Sequence, residues 1–171
     1  PLAHRVNPAN QAILTVLATP TTVAYGGTSA LSTIGGSGTG TVTYSAAGST
    51  GCSVVGSSLS VTDASGSCSV TATKAADTNY NAAISAPLTI TLTRATPPIT
   101  AWPTASAITY GQTLASSILS GGSTTVSGSF AFTTPGTVPP LGTASYSLTF
   151  TPTDTTNYNS VIGSVSVTVN S

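Results

Sequence analysis

Val165-Ser166-Val167-Thr168-Val169 alternates apolar and hydroxyl side chains without a break. In an extended strand successive side chains point to opposite faces, so this stretch presents valines on one face and hydroxyls on the other. On a helix the same residues would scatter their apolar groups around the axis. The period of two returns in Tyr146-Ser147-Leu148-Thr149-Phe150, in Leu88-Thr89-Ile90-Thr91-Leu92 and in Cys68-Ser69-Val70-Thr71-Ala72. Val, Ile, Thr and Tyr are good strand formers, and no segment carries a convincing helical period. The chain reads as all-β.

Glycine and proline punctuate these runs, at Gly26-Gly27, Gly35-Gly36, Gly56, Gly66, Gly121-Gly122, Pro97-Pro98, Pro103, Pro135 and Pro139-Pro140. Short strands between turns at such spacing predict a sandwich of two antiparallel sheets. The sequence also repeats itself. Tyr25-Gly26, Gly35-Gly36, Asp77…Tyr80-Asn81 and Leu88–Leu92 recur in order as Tyr110-Gly111, Gly121-Gly122, Asp154…Tyr158-Asn159 and Val165–Val169. One fold unit is used twice, which predicts two tandem β-sandwich domains over residues 11–94 and 95–171. The prolines after Arg94 predict a stiff, extended connector. Residues 1–10 match nothing in the first copy, and are expected to be a leading arm or the tail of a preceding domain. The chain begins with Pro1 rather than Met, the mark of a processed product or a segment cut from something longer.

Charged residues make up 4% of the 171 residues, against about 25% in an ordinary soluble domain. The acids are Asp63, Asp77 and Asp154, and the cations are Arg5, Lys74 and Arg94. Ser and Thr supply the polarity. A hydroxyl surface with net charge zero is solvated but barely self-repelling, which favours association. Three scattered cations cannot make a nucleic-acid footprint. No apolar run approaches the roughly 20 residues of a membrane helix.

Cys52 and Cys68 are the two cysteines. The Thr-rich, Lys-poor β composition points outside the cytosol and favours a disulfide between them, with a free buried thiol pair as the alternative. Zinc would need further ligands, and His4 is distant in sequence.

These phrases together resemble bacterial Ig-like repeats, in particular the MBG-type domains found in tandem in large secreted and surface proteins. The resemblance rests on Ile108-Thr109-Tyr110-Gly111-Gln112-Thr113-Leu114, Phe150-Thr151-Pro152-Thr153-Asp154 and the closing Val169-Asn170, with the first copy similar to a sister type. It covers about residues 11–170. It implies tandem immunoglobulin-like sandwiches with a structural or adhesive role, and no catalysis.

The recurring corner, Asp77 to Tyr80-Asn81 and Asp154 to Tyr158-Asn159, is read as a turn. Its Asp accepts main-chain N–H groups, and its Tyr buries its ring at the end of the sandwich with the hydroxyl bonded to backbone. A Ca²⁺ site is the rival reading, but it needs six to eight oxygens with several carboxylates. One Asp per corner is too few, and no metal or other cofactor is expected.

Catalysis has little to work with. His4 has no acid–base partner in sight, the many hydroxyls lack a positioned base, and the second copy holds one acid, which excludes a carboxylate pair. A Lys–Asn cross-link could involve only Lys74, and is excluded from the second copy, which has no Lys. Trp102 is read as a plug at the domain junction or sandwich edge, with sugar stacking as its functional alternative. Among exposed aromatics only Trp102 and Tyr110 are candidates for a binding face.

The sequence therefore predicts a non-enzymatic structural module, secreted or on a cell surface, in a bacterial fibre, filament or adhesin stalk. Its partners would be itself or neighbouring Ig-like repeats. A module binding a polysaccharide or cell surface is the alternative. Val6, Ala12, Ile13 and Leu14 could supply a strand to a neighbour by β-augmentation, although that stretch reads equally as the first strand of its own domain.

Overall fold

The alternating runs become strands in the computed structural model, which describes residues 7–171. Val6, with His4 and Arg5, lies outside the described residues. The chain divides into two compact units, Pro1–Arg94 and Ala95–Ser171.

Among the described residues of the first unit, ten strands follow one another. They are β1 (Leu14–Thr19), β2 (Thr22–Ala24), β3 (Thr28–Gly35), β4 (Val42–Ser45), β5 (Cys52–Val55), β6 (Ser58–Val61), β7 (Ser69–Lys74), β8 (Ala83–Ile84), β9 (Leu88–Thr89) and β10 (Thr91–Thr93). One sheet has the order β1-β3-β6-β5, a second is β4-β7-β8 with β9 also on β7, and β10 and β2 form a separate parallel pair. Leu14, Val16, Leu31, Leu59 and Val61 of the first sheet meet Val70 and Ala72 of the second in one buried cluster. Leu88 to Leu92, an unbroken strand by its alternation, divides at Ile90. Its first part pairs with β7 and its second lies parallel to β2. Ile90, 2% exposed, fills the core where the chain changes sheets.

The second unit contains β11 (Ile99–Ala105), β12 (Ile108–Thr109), a 3-10 turn at Leu114–Ser116, β13 (Leu119–Thr124), β14 (Gly128–Phe132), β15 (Gly142–Pro152) and β16 (Val161–Asn170). Its sheets are β11-β13 and β12-β16-β15-β14. Val167, Val169, Leu148, Phe132, Ile108 and Leu114 form its buried cluster. The stretch Val165–Val169 lies within β16, where Val167 and Val169 are buried and Ser166 and Thr168 are exposed. The β5–β6 hairpin has no counterpart here. The loop Thr133–Leu141 stands in its place, burying Pro139 and giving the carbonyls of Thr137 and Pro135 to the N–H groups of Leu114 and Ala115.

Cys52 and Cys68 are joined by a disulfide with their Cα atoms 5.6 Å apart. The thiol-pair alternative falls. The bridge ties the start of β5 to the residue before β7, and so links the two larger sheets of the first unit.

Candidate functional site: the aspartate corners and the cavity beside one of them

In each unit the strand that carries the core alternation ends in a corner. After β7, Asp77 Oδ1 accepts the N–H groups of Asn79 and Tyr80, both at 2.8 Å. Oδ2 accepts the N–H of Thr39, from the β3–β4 loop, at 2.7 Å. After β15, Asp154 Oδ1 accepts the N–H groups of Thr156 and Asn157, both at 3.1 Å, and Oδ2 accepts Asn157 Nδ2 at 2.9 Å. Asp is suited to this work because its short side chain reaches main-chain donors two and three residues on. These donors favour the charged form. The Thr39 N–H, then that of Asn79, holds the Asp77 carboxyl below its ordinary value of 3.8. The Asn157 side chain, then its N–H, does the same for Asp154. Asp63 makes a third such turn, accepting the N–H and hydroxyl of Ser65.

The corner also grips the chain entering its own unit. Ala9 bridges Tyr80 in parallel, donating its N–H to Asn79 O and accepting the N–H of Asn81, both at 2.8 Å. Ala95 bridges Tyr158 identically, through Asn157 O at 2.8 Å and the N–H of Asn159 at 2.9 Å. In the first unit Gln11 adds to the grip. Its Nε2 donates to Asn81 O and Ala75 O, and its Oε1 accepts the N–H of Ser37. Asn81 Nδ2 reaches Pro8 O and Asn10 Oδ1. Sequence reasoning missed this role. The one signal was the common spacing of 86 residues between Ala9 and Ala95 and between Gly35 and Gly121.

Several expected positions come out differently. Tyr80 and Tyr158 are half-buried residues, not buried ones. Ala9 and Gln11 are bonded into their own unit, Ala12 and Ile13 are exposed, and Leu14 begins β1 in its own core at 3% exposure. The stretch from Ala12 to Leu14 is therefore no free donor strand. Trp102 lies half-buried on β11, edge-on to Phe130 with ring centroids 5.6 Å apart, and packs on the core of its own unit. Tyr110 is 64% exposed.

Beside Asp154 the second unit opens a cavity of about 370 Å³, lined by Thr125, Val126, Ser127, Thr153, Asp154 and Tyr158. Strand register makes Thr125 the counterpart of Thr39. Thr153 donates its N–H to Ser127 O, as Ala75 does to Thr41 O. Gly128 faces Pro152 as Val42 faces Lys74. In the first unit the same place is filled by the Thr39 main chain lying on Asp77. Among the described residues no group of three or more His, Cys, Asp or Glu is placed to hold a metal.

No family model matches this sequence, and no curated protein does either. Among solved structures, it is similar to the N-terminal eight Ig domains of Down Syndrome Cell Adhesion Molecule (DSCAM) isoform 1.30.30. The identity is 14%, the TM-score is 0.39, and the match covers 94% of this chain and 25% of that one. The chain thus spans about a quarter of the length of that eight-domain chain. The strand orders described above make this an all-β chain whose sheets pack face to face around a buried core in each unit.

Proposed function

We propose that this chain is a non-enzymatic structural module of an extracellular bacterial fibre, filament or adhesin stalk, with further Ig-like repeats or copies of itself as partners. The observation that carries the reading is the route of the chain through the second unit. It is gripped at Ala95 beside Tyr158, just before β16 begins, and it leaves at Asn170, where β16 ends. The ten residues of β16 span about 33 Å at the usual rise per residue. Entry and exit lie at opposite ends, as a link in a series requires.

The pairing of the last strand supports the same reading. β10 lies parallel to β2, and β16 lies parallel to β12. Pulling such a pair by its opposite ends loads its hydrogen bonds together rather than one after another. The disulfide fits an oxidising compartment. All three acids are engaged in turn bonds, which favours a non-enzymatic role.

Negative-stain electron microscopy with size exclusion over a concentration series tests the reading. Regular filaments, or extended particles in which the modules follow one another, are the expected result. Compact globular particles at every concentration would contradict it.

A further inference from the structure

We propose that the cavity beside Asp154 is a binding site for an uncharged sugar, and that the first unit has the same site sealed by its own loop. The inference goes beyond the structural role, which stands whether or not any sugar binds.

The two units provide an internal comparison, because the segment from the paired glycines to the next strand has the same length in both, although β13 runs on to Thr124 where β3 ends at Gly35. In the first unit it reads Gly35-Gly36-Ser37-Gly38-Thr39-Gly40-Thr41, and in the second Gly121-Gly122-Ser123-Thr124-Thr125-Val126-Ser127. Two glycines let the first loop collapse onto its corner. A Cβ at Gly38 would overlap Asp77 Oδ2 and the Tyr80 ring, and one at Gly40 would overlap the Ala75 carbonyl. Their counterparts are Thr124 and Val126, whose side chains forbid that approach. The second loop therefore stands off its corner. Asp154 bonds Asn157 where Asp77 bonds Thr39, and the space between loop and corner stays open.

The sealed copy indicates what the open one would take. In the first unit Asp77 Oδ2 receives the N–H of Thr39 at 2.7 Å, with the Thr39 hydroxyl at 3.5 Å. A ligand for the second site should likewise offer hydrogen-bond donors to a carboxylate. The other lining residues are three that carry hydroxyls, Thr125, Ser127 and Thr153, with the aromatic Tyr158 and the aliphatic Val126. One sugar hydroxyl can donate to the remaining acceptor site of Asp154 Oδ2, beside Asn157 Nδ2, and its neighbours can exchange bonds with the Thr and Ser hydroxyls, with the C–H face of the sugar ring toward Tyr158 and Val126. An anion would meet the negative charge of Asp154 with no cation in the lining. A hard cation would find a single carboxylate. The cavity volume falls at the small end of ligand pockets, which suits one sugar unit.

The test is a titration of the whole ¹⁵N-labelled chain, followed by amide NMR. The probes are glucose, N-acetylglucosamine, and the β-1,4-linked pentamers of each. Saturable shifts confined to residues 125–127 and 153–158, with none at 39–41 or 75–80, are expected with at least one probe. A monomer as good as its pentamer would indicate a free sugar, and a pentamer preference would indicate a polysaccharide chain. Asp154→Asn should weaken binding roughly tenfold or more, the loss of a charge-assisted hydrogen bond. Val126→Phe should fill the cavity and abolish binding. The same spectra report whether each variant is folded, and the shift map of the unaltered chain decides the matter if a variant is not. No shift with any probe at millimolar concentration, or equal shifts in both loops, would overturn the proposal.

Discussion

The main-chain N–H of Thr39 lies 2.7 Å from Asp77 Oδ2 and ties the loop after β3 to the corner after β7. It heads the bonds that keep the Asp77 carboxyl below its ordinary 3.8, and Asn157 does the same for Asp154. A carboxyl whose folded value is depressed binds protons less readily when folded than when unfolded. Its stabilising effect is complete well above 3.8 and is lost as the pH falls through the lower folded value. Thermal unfolding should therefore be flat across neutral pH, apart from other groups, and the transition temperature should drop in the acid range. Asp77→Asn and Asp154→Asn should each flatten part of that drop. A full acid drop retained in the double variant would show that the corners are not its source.

Reduction of Cys52–Cys68 acts on one unit only. The bridge spans 16 residues, and in the chain-entropy model a loop of that size contributes about 3 kcal/mol. Calorimetry with and without reductant should show one transition displaced to lower temperature while the transition of the second unit stays in place. Displacement of both would contradict the assignment.

Gln11 serves the entry grip with both ends of its amide, donating to Asn81 O and Ala75 O and accepting from Ser37. Gln11→Ala should destabilise the first unit by about 1–2 kcal/mol, since the net value of each such bond is modest and the group is half-buried. Faster hydrogen exchange at Ser37, whose N–H donates to Gln11 Oε1, would accompany it. An unchanged exchange pattern would mean that the grip is held by the main chain alone.

Gly163 lies under the Trp102 indole, and a Cβ there would overlap the ring. Gly163→Ala should force the indole outward at a cost of about 1–3 kcal/mol, the usual range for overpacking. Tryptophan emission should shift to the red, since Trp102 is the sole Trp. Unaltered emission and stability would mean that the ring moves freely and does not close the core of the second unit.

Much of the architecture was legible because alternation is a local signal. Val70 and Ala72 face the core, as do Leu148, Phe150, Val167 and Val169, and each sits where its run of hydroxyl and apolar residues places it. The break at Ile90 was hidden, because changing sheets preserves the alternation while exchanging the hydrogen-bond partners. The bridges of Ala9 and Ala95 were hidden for a related reason. They are made by main-chain groups, which any residue supplies, so no side chain announces them. The cavity beside Asp154 was written in the sequence as Gly40 against Val126, but its meaning depends on how close that loop lies to Ala75. Leu14 looked usable by a neighbour when read alone, and its pairing opposite Gly35 in β1–β3 claims it for its own unit.

If the chain carries load through both units, as proposed, single-molecule stretching between its two ends is the most direct test. Tyr25 donates its N–H to Thr93 O and Tyr110 donates its N–H to Asn170 O, each closing the parallel pair at its exit strand. Each chain should give two abrupt unfolding events, with Tyr25→Pro lowering the force of one and Tyr110→Pro that of the other by removing those donors. Smooth extension without such events, or forces indifferent to both prolines, would contradict a mechanical role for the two units.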